Sequence, residues 1–466
     1  MTNKLFGTDG VRGIANIYPM NVEFAFDLAE ILSSVVCLHK KRVAIGKDTR
    51  ISGDMLEAAL SSGFMANGVS VISLGVVPTP LVTLETPLLD VDMSLMITAS
   101  HNPYQDNGIK LINAFGDKFP DEFYAQIEGL LTNKQAIKIN NTNNNNNNNN
   151  KQQQTKSPSP LGSLLKNDTI SETYMESMRR IAPNYKALKD LRVVLDCANG
   201  SFYHILPQTF KDLGAGVIAI NNAPDGYNIN QNCGSQHTEQ LSETVKNAHA
   251  HFGIAVDGDG DRVILVDNEG NVIDGDQLLC FLAQYLRNHN QLKNNIVVST
   301  EWSNLGLGNY LSKEGFVHYK SKVGERYVID LMKEQNASLG GELVGHIVLA
   351  DYAKTGDALA TAIVLSLAYL EDGRKMSEIF PIFQPYPCII ENIRFSNKEY
   401  MAESIEHDDV KKALEKALSE LGKDSNLIAR KSGTEPVIKL RVECSDAQLV
   451  EKWAKELKRL IEQYQK

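Results

Sequence analysis

Three short β-branched runs, Arg42-Val43-Ala44-Ile45, Arg192-Val193-Val194-Leu195 and Asn295-Ile296-Val297-Val298, each open into a polar loop. Around them, short apolar runs alternate with amphipathic stretches, and that alternation restricts the chain to α/β layers. Their recurrence suggests three related α/β units. At 466 residues the chain is long enough for about three or four domains.

The helices fit between these strands. Ser52 is placed to cap a helix with Met55, Leu56, Ala59, Leu60 and Phe64 on one face, followed by a strand from Val69 to Leu74. The C-terminal part runs in a different order, helix 410–421, strand 437–443, helix 446–463. Ser445-Asp446-Ala447-Gln448 reads as a capping box, and Leu449, Val450, Trp453, Leu457, Leu460 and Ile461 form a buried stripe. This predicts a fourth, smaller domain.

One segment breaks the pattern. From Asn140 to Lys166 the chain is rich in Asn, Gln, Ser and Pro and cannot bury apolar surface, so a disordered, solvated insertion without a role is expected.

The net charge of -10 disfavours sequence-independent binding to nucleic acid or anionic membranes, so any phosphate site must be local. The six cysteines lie far apart with no Cys-x-x-Cys, which argues against a disulfide framework or zinc ribbon and for a reducing compartment. The first residues lack a basic apolar signal, and the most apolar helical stretch, 22–36, is broken by Glu23, Asp27 and Glu30. A cytoplasmic protein is expected.

Four loops could carry chemistry. In Asp257-Gly258-Asp259-Gly260-Asp261-Arg262, between two apolar strands, three carboxylates repel one another unless a cation neutralises them. The glycines let the backbone turn all three inward, and a hard ion such as Mg²⁺ suits the oxygens. A calcium EF-hand fails, because Arg262 and Asn268 occupy its glycine and glutamate positions. Thr98-Ala99-Ser100-His101-Asn102-Pro103 leaves the run 93–97 and precedes Lys110. It exposes a serine at a strand end, without the Gly-x-Ser-x-Gly of a serine hydrolase. If Ser100 carries phosphate, its dianion could complete the coordination of a metal on the aspartates, with Lys110, His101 and Arg12 neutralising the oxygens. Arg430-Lys431-Ser432-Gly433-Thr434-Glu435-Pro436 offers a forked donor, hydroxyls and approachable N–H groups, a phosphate cradle that is not a Walker loop. Gly340 to His346, with Lys322 to Arg326 upstream, places Glu342 and His346 where they could meet sugar hydroxyls or phosphate.

Together these loops resemble the α-D-phosphohexomutase family, and Phe6-Gly7-Thr8-Asp9-Gly10-Val11-Arg12-Gly13 and Asp225 to Ser235 are similar to its glucosamine branch. Residues 97–103 look like the family's phosphoserine loop, 257–262 its metal loop, 342–346 its sugar loop and 430–436 its phosphate-binding loop. The resemblance implies three similar α/β domains plus a smaller C-terminal α+β domain around a central cleft. The expected division is 1–139, the insertion 140–166, then 167–268, 269–382 and 383–466.

The implied reaction interconverts glucosamine 6-phosphate and glucosamine 1-phosphate through phosphorylated Ser100 and a hexose 1,6-bisphosphate. In it Ser100, His101, Lys110 and Arg12 are catalytic, and Ser100, Asp257, Asp259 and Asp261 hold Mg²⁺. Arg262, Gly324, Arg326, Glu342, His346, Arg430, Ser432, Gly433 and Thr434 bind the substrate. Sugar phosphates are the expected partners, with no nucleic acid or membrane, and a homodimer is left open. Turning the intermediate implies a hinge near Pro381 to Pro387.

Two departures stand out. The family's sugar loop usually carries a serine where this chain has Val344, which offers no hydroxyl and puts the choice of sugar in doubt. Glu301-Trp302 replaces a smaller apolar pair. The alternatives are phosphomannomutase or phosphoglucomutase activity, a catalytically silent sugar-phosphate sensor, and a metal-dependent phosphatase.

Overall fold

The computed structural model describes residues 5–7, 9–144, 160–431 and 436–465. They form two compact units, residues 1–301 with 319–380, and residues 302–318 with 381–466.

The larger unit repeats one plan. In the first sheet, Arg42–Lys47 pairs in parallel with Ser70–Val76 on one side and Met93–Ile97 on the other, and Met93–Ile97 turns back antiparallel into Asp106–Asn113. In the second, Arg192–Asp196 pairs in parallel with Gly216–Ile220 and Phe252–Val256, which turns back into Val263–Asp267. In the third, Ile296–Thr300 pairs in parallel with Leu339–Gly341, which turns back into Ile347–Leu349. The three predicted runs are thus equivalent inner strands. The loops 98–105, 257–262 and 342–346 are equivalent too, each being the connection of the antiparallel pair beside that strand. Met93–Ile97, Phe252–Val256 and Val263–Asp267 are buried at every residue, as their largely apolar sequences, interrupted only by Ser94 and Asp267, require of strands covered on both faces.

Two local expectations need correction. The helix predicted from Ser52 spans Ser52–Ala66, but Ser52 is not its cap: the preceding Ile51 is already helical, and Ser52 Oγ instead accepts from Asn107 Nδ2 at 2.8 Å. The insertion is also shorter than 140–166. A helix runs from Asp121 to Asn144, and Leu164–Lys166 joins the first sheet in parallel with Val71–Ser73, since an edge strand needs only backbone partners, which composition does not reveal. Residues 145–159 lie outside the described residues.

The smaller unit is a three-stranded antiparallel sheet, Cys388–Arg394, Val437–Cys444 and Ser425–Lys431 in that order, covered by Asp408–Leu421 and Ala447–Glu462. Trp453, Leu457 and Ile461 of the predicted stripe are fully buried. The last helix is capped by Asp446, which accepts from Gln448 N and Leu449 N, and not by Ser445. Asp446 outcompetes it because the carboxylate reaches two free N–H groups at once.

The indole centroid of Trp302 lies 5.6 Å from Lys439 Nζ, a contact that a smaller apolar residue would not make, while the Trp302 carbonyl, which any residue would supply, accepts from the buried Arg441 guanidinium. Glu443 closes the arrangement, accepting from Arg441 Nη2 at 2.9 Å and from Leu305 N at 2.9 Å.

Candidate active site

The loops of the first and second domains meet at Ser100. Its φ of +54° is a left-handed conformation that a residue with a Cβ adopts only under constraint. The constraint is visible. Arg50, fully buried and paired with Asp48 Oδ2 at 2.9 Å, donates to the carbonyls of Ser100 (3.0 Å), Asn102 (2.8 Å), Pro103 and Asp106 (3.0 Å). Asn230 Nδ2 adds bonds to the carbonyls of Ser100 and Asn102 at 2.9 and 3.0 Å. So held, Ser100 Oγ donates to Asp257 Oδ2 at 2.7 Å and lies 3.3 Å from His101 Nδ1. Gly258 makes the approach feasible, since a Cβ there would fall 2.6 Å from Ser100 O.

Asp257, Asp259 and Asp261 are all buried, and one oxygen of each lies within 4.8 Å of the others. Asp259 Oδ1 and Asp261 Oδ1 are buried with no hydrogen-bond partner among the described residues. Buried carboxylate oxygens left so are costly without a cation, so the donor set fits a hard divalent ion. Burial, with repulsion from Asp261 and Asp259, pushes the Asp257 carboxyl well up. Burial acts on Asp261 too, but His346 and Lys110 beside it hold it down.

Around the triad stand the predicted cations. Lys110 Nζ lies 2.8 Å from Asp259 Oδ2 and 3.1 Å from Asp261 Oδ2; burial opposes its charge, yet the carboxylates of Asp259, Asp261 and Asp9 raise it well above the ordinary lysine value. Arg12 reaches Ala99 O at 3.4 Å and Asp9 Oδ2 at 3.2 Å. Arg262 Nε donates to His346 Nε2 at 2.9 Å. His101 is pushed down to about 2 by burial and by Arg262 and Arg12, so its ring is neutral.

Glu342 is buried and accepts from Gly324 N at 2.9 Å, which joins two predicted substrate residues in one contact. Val344 is half-exposed. Arg326 is not brought to the triad: its Nη1 pairs with Asp121 Oδ1 at 2.6 Å, beside a cavity that Lys118 and Tyr124 also line. Arg430 lies in the strand Ser425–Lys431 of the smaller unit, and Ser432, Gly433 and Thr434 lie outside the described residues.

Sequence reasoning missed Asp9, Asp48, Arg50, Thr79, Lys118, Asn230 and Glu325. Thr79 Oγ1 donates to Asp259 Oδ2 at 2.6 Å. The one usable signal was Asp48-Thr49-Arg50, two charges directly after a buried strand, where solvation alone does not account for them.

Family models of phosphoglucomutase/phosphomannomutase match the whole plan: α/β/α domain I at residues 3–138, domain II at 172–270, domain III at 274–386 and the C-terminal domain at 391–460. A phosphoglucosamine mutase of Rhizobium etli is 40% identical across 98% of this chain and 98% of its own. One from Gluconacetobacter diazotrophicus is 40% identical across 100% of this chain and 99% of its own. The crystal structure of a phosphoglucomutase/phosphomannomutase family protein from Burkholderia thailandensis superposes with a TM-score of 0.76 at 22% identity, covering 100% of this chain and 98% of that one, and carries the likeness in fold. The chain belongs to the phosphoglucomutase/phosphomannomutase family, the α-D-phosphohexomutases, and within it is most like the phosphoglucosamine mutases.

Proposed function

We propose that this chain is a phosphoglucosamine mutase, an isomerase that interconverts glucosamine 6-phosphate and glucosamine 1-phosphate. The observation that carries the reading is Ser100 Oγ, 2.7 Å from Asp257 in a buried acidic triad, within a chain so similar to curated enzymes of that name.

Ser100 gives a phosphoryl group to the free sugar hydroxyl. The P–Oγ bond breaks as the sugar P–O bond forms, and the hydroxyl proton leaves. The resulting hexose 1,6-bisphosphate turns end for end and returns its other phosphoryl group to Ser100. Asp257, Asp259 and Asp261 would hold Mg²⁺, which when bound neutralises charge on the phosphoryl oxygens. Lys110, paired with Asp259, Asp261 and Asp9, brings positive charge to the phosphoryl oxygens, and Arg12 and Arg262 join it. His101, 3.3 Å from Ser100 Oγ, and Lys110 are the two candidates to take the hydroxyl proton. Glu342 and His346 meet the sugar, and Arg430 with Ser432, Gly433 and Thr434 receives the phosphate that is not reacting.

The domain division proposed is 1–139 with 160–166, then 167–268, 269–382 and 383–466. The two compact units part between Phe380 and Pro381, at the start of the segment proposed as a hinge. Among the described residues no helix is long and apolar enough to cross a membrane.

The alternative reading is a phosphomannomutase or phosphoglucomutase, and it turns on Val344, which leaves the sugar loop without a hydroxyl. Losing one hydrogen bond costs about 0.5 to 1.5 kcal/mol, which weakens sugar recognition without abolishing it. Steady-state kinetics with glucosamine, glucose and mannose 6-phosphates decide between them: the highest kcat/KM belongs to glucosamine 6-phosphate, and preference for another sugar overturns the assignment.

A further inference from the structure

Six side chains, five of them charged and His346 the sixth, close a ring beside the metal loop. Lys110 Nζ lies 3.1 Å from Asp261 Oδ2 and 3.0 Å from Asp9 Oδ2. Asp9 Oδ1 lies 2.7 Å from Lys118 Nζ, and the same ammonium reaches Glu325 Oε2 at 2.6 Å. Glu325 Oε1 is 3.9 Å from His346 Nδ1, which lies 3.6 Å from Asp261 Oδ1 and returns the ring to its start. The first domain supplies Asp9, Lys110 and Lys118, the second Asp261, the third Glu325 and His346.

The direction of each contact is fixed by chemistry. Arg262 Nε donates to His346 Nε2, and because arginine cannot accept, the imidazole proton must sit on Nδ1. That N–H lies 3.6 Å from Asp261 Oδ1 and 3.9 Å from Glu325 Oε1, with no hydrogen-bond partner among the described residues. Glu325 also accepts from Thr355 Oγ1 and, at 2.6 Å, from Gly356 N. A Cβ at Gly356 would fall 2.4 Å from Asp261 O, so the backbone Glu325 holds lies directly against the metal loop. The ion pairs of Lys118 and Glu325 stop within the ring, at Asp9, at each other and at His346, and go no nearer to Ser100.

We propose that Lys118 and Glu325 are positioning residues of the mutase reaction, Lys118 fixing Lys110 through Asp9 and Glu325 holding Lys118 while presenting its carboxylate to the Nδ1 side of His346, and so setting the two groups that face the transferred phosphoryl and the sugar. The inference rests on the function proposed above and adds two residues whose ion pairs, among the described residues, do not include Asp257, Asp259 or Asp261. Breaking the ring lets Lys110 and His346 shift, and displacements of about 1 Å at such positions cost on the order of 100-fold in rate.

The test uses the full chain carrying Lys118→Met, Glu325→Gln, both together, and Lys118→Arg. The singles are expected to lose roughly 10- to 100-fold in kcat, with KM changed by less than about threefold. The double variant, which removes one charge of each sign and guards against a single that does not fold, should be no worse than the poorer single, because the pair acts as a unit. Lys118→Arg restores part of the rate. A second readout needs no turnover: in ¹⁵N-histidine-labelled protein, the His346 signal, identified by its loss in His346→Asn, shows the Nδ1–H tautomer that Arg262 imposes, and its Nδ1 shift moves in Glu325→Gln while the tautomer stays. Unchanged kcat in folded variants, an Nδ1 shift that does not move in Glu325→Gln, or an Nε2–H His346 in the unmodified protein, overturns the proposal. Absence of turnover in the unmodified protein contradicts the proposed function instead, and the Nδ1 shift still decides the ring.

Discussion

Ser100 and Asp257, 157 positions apart in sequence, meet at 2.7 Å from Oγ to Oδ2, with the Ser100 backbone held in a left-handed turn to make the meeting possible. The serine is presented at the cost of its own backbone, a pattern found where geometry serves chemistry.

That cost is measurable. Ser100→Ala and Ser100→Gly both lose the hydroxyl and should both be inactive. At φ +54° glycine is unstrained and alanine is not, so Ser100→Gly should be the more stable by about 1 kcal/mol. Urea unfolding of the pair reads the difference, and equal stabilities would mean the turn is not strained.

Magnesium should stabilise the protein by binding its folded state. At a concentration one hundred times Kd, the gain is about 2.7 kcal/mol. Asp257→Asn should lose that response. A calorimetric scan with Mg²⁺ and with chelator checks both, and an equal shift in the variant would remove the triad from metal binding.

Asp357 gives the fold a pH dependence. It is buried, accepts from Tyr174 Oη at 2.8 Å and caps the helix beginning at Ala358, and burial raises its carboxyl to about 6. The folded state therefore holds this proton more tightly than the unfolded chain, whose aspartate titrates near 3.9. The sign follows: lowering the pH from above 6 toward 4 favours folding, and above 6 the buried charge costs about 2 to 3 kcal/mol. Asparagine keeps the cap without the charge, so the advantage of Asp357→Asn over the unmodified protein should grow from pH 5 to pH 7.5. A gap that does not widen refutes the assignment.

Arg441 and Glu443 tie the segment after Trp302 to the sheet of the smaller unit. Arg441→Met leaves Glu443 buried without its cation and should destabilise that unit by about 3 to 5 kcal/mol. Hydrogen exchange of Ile438, Leu440 and Val442 reports the loss. Unchanged protection would show the pair to be dispensable.

What could be read in the sequence was whatever has a local signature. The inner strands announce themselves as β-branched runs, and Asp257 to Arg262 concentrates charge too densely for a simple turn. What could not be read depends on distant partners. Arg50 looks like a surface cation until its four carbonyl acceptors, about 50 positions ahead, fold onto it. Lys118 and Glu325 sit 207 positions apart, and neither spacing nor composition joins them. Leu164–Lys166 was obscured by its neighbours, because the Asn, Ser and Pro around it set the composition while Val71–Ser73 sets the strand.

The central claim, phosphoryl transfer through Ser100 on a glucosamine phosphate, is tested most directly by phosphorus NMR of the protein with Mg²⁺, a trace of hexose 1,6-bisphosphate and glucosamine 6-phosphate. The account predicts a growing 1-phosphate signal that Ser100→Ala abolishes. Release of inorganic phosphate in its place, or a 1-phosphate signal that survives in Ser100→Ala, would contradict it.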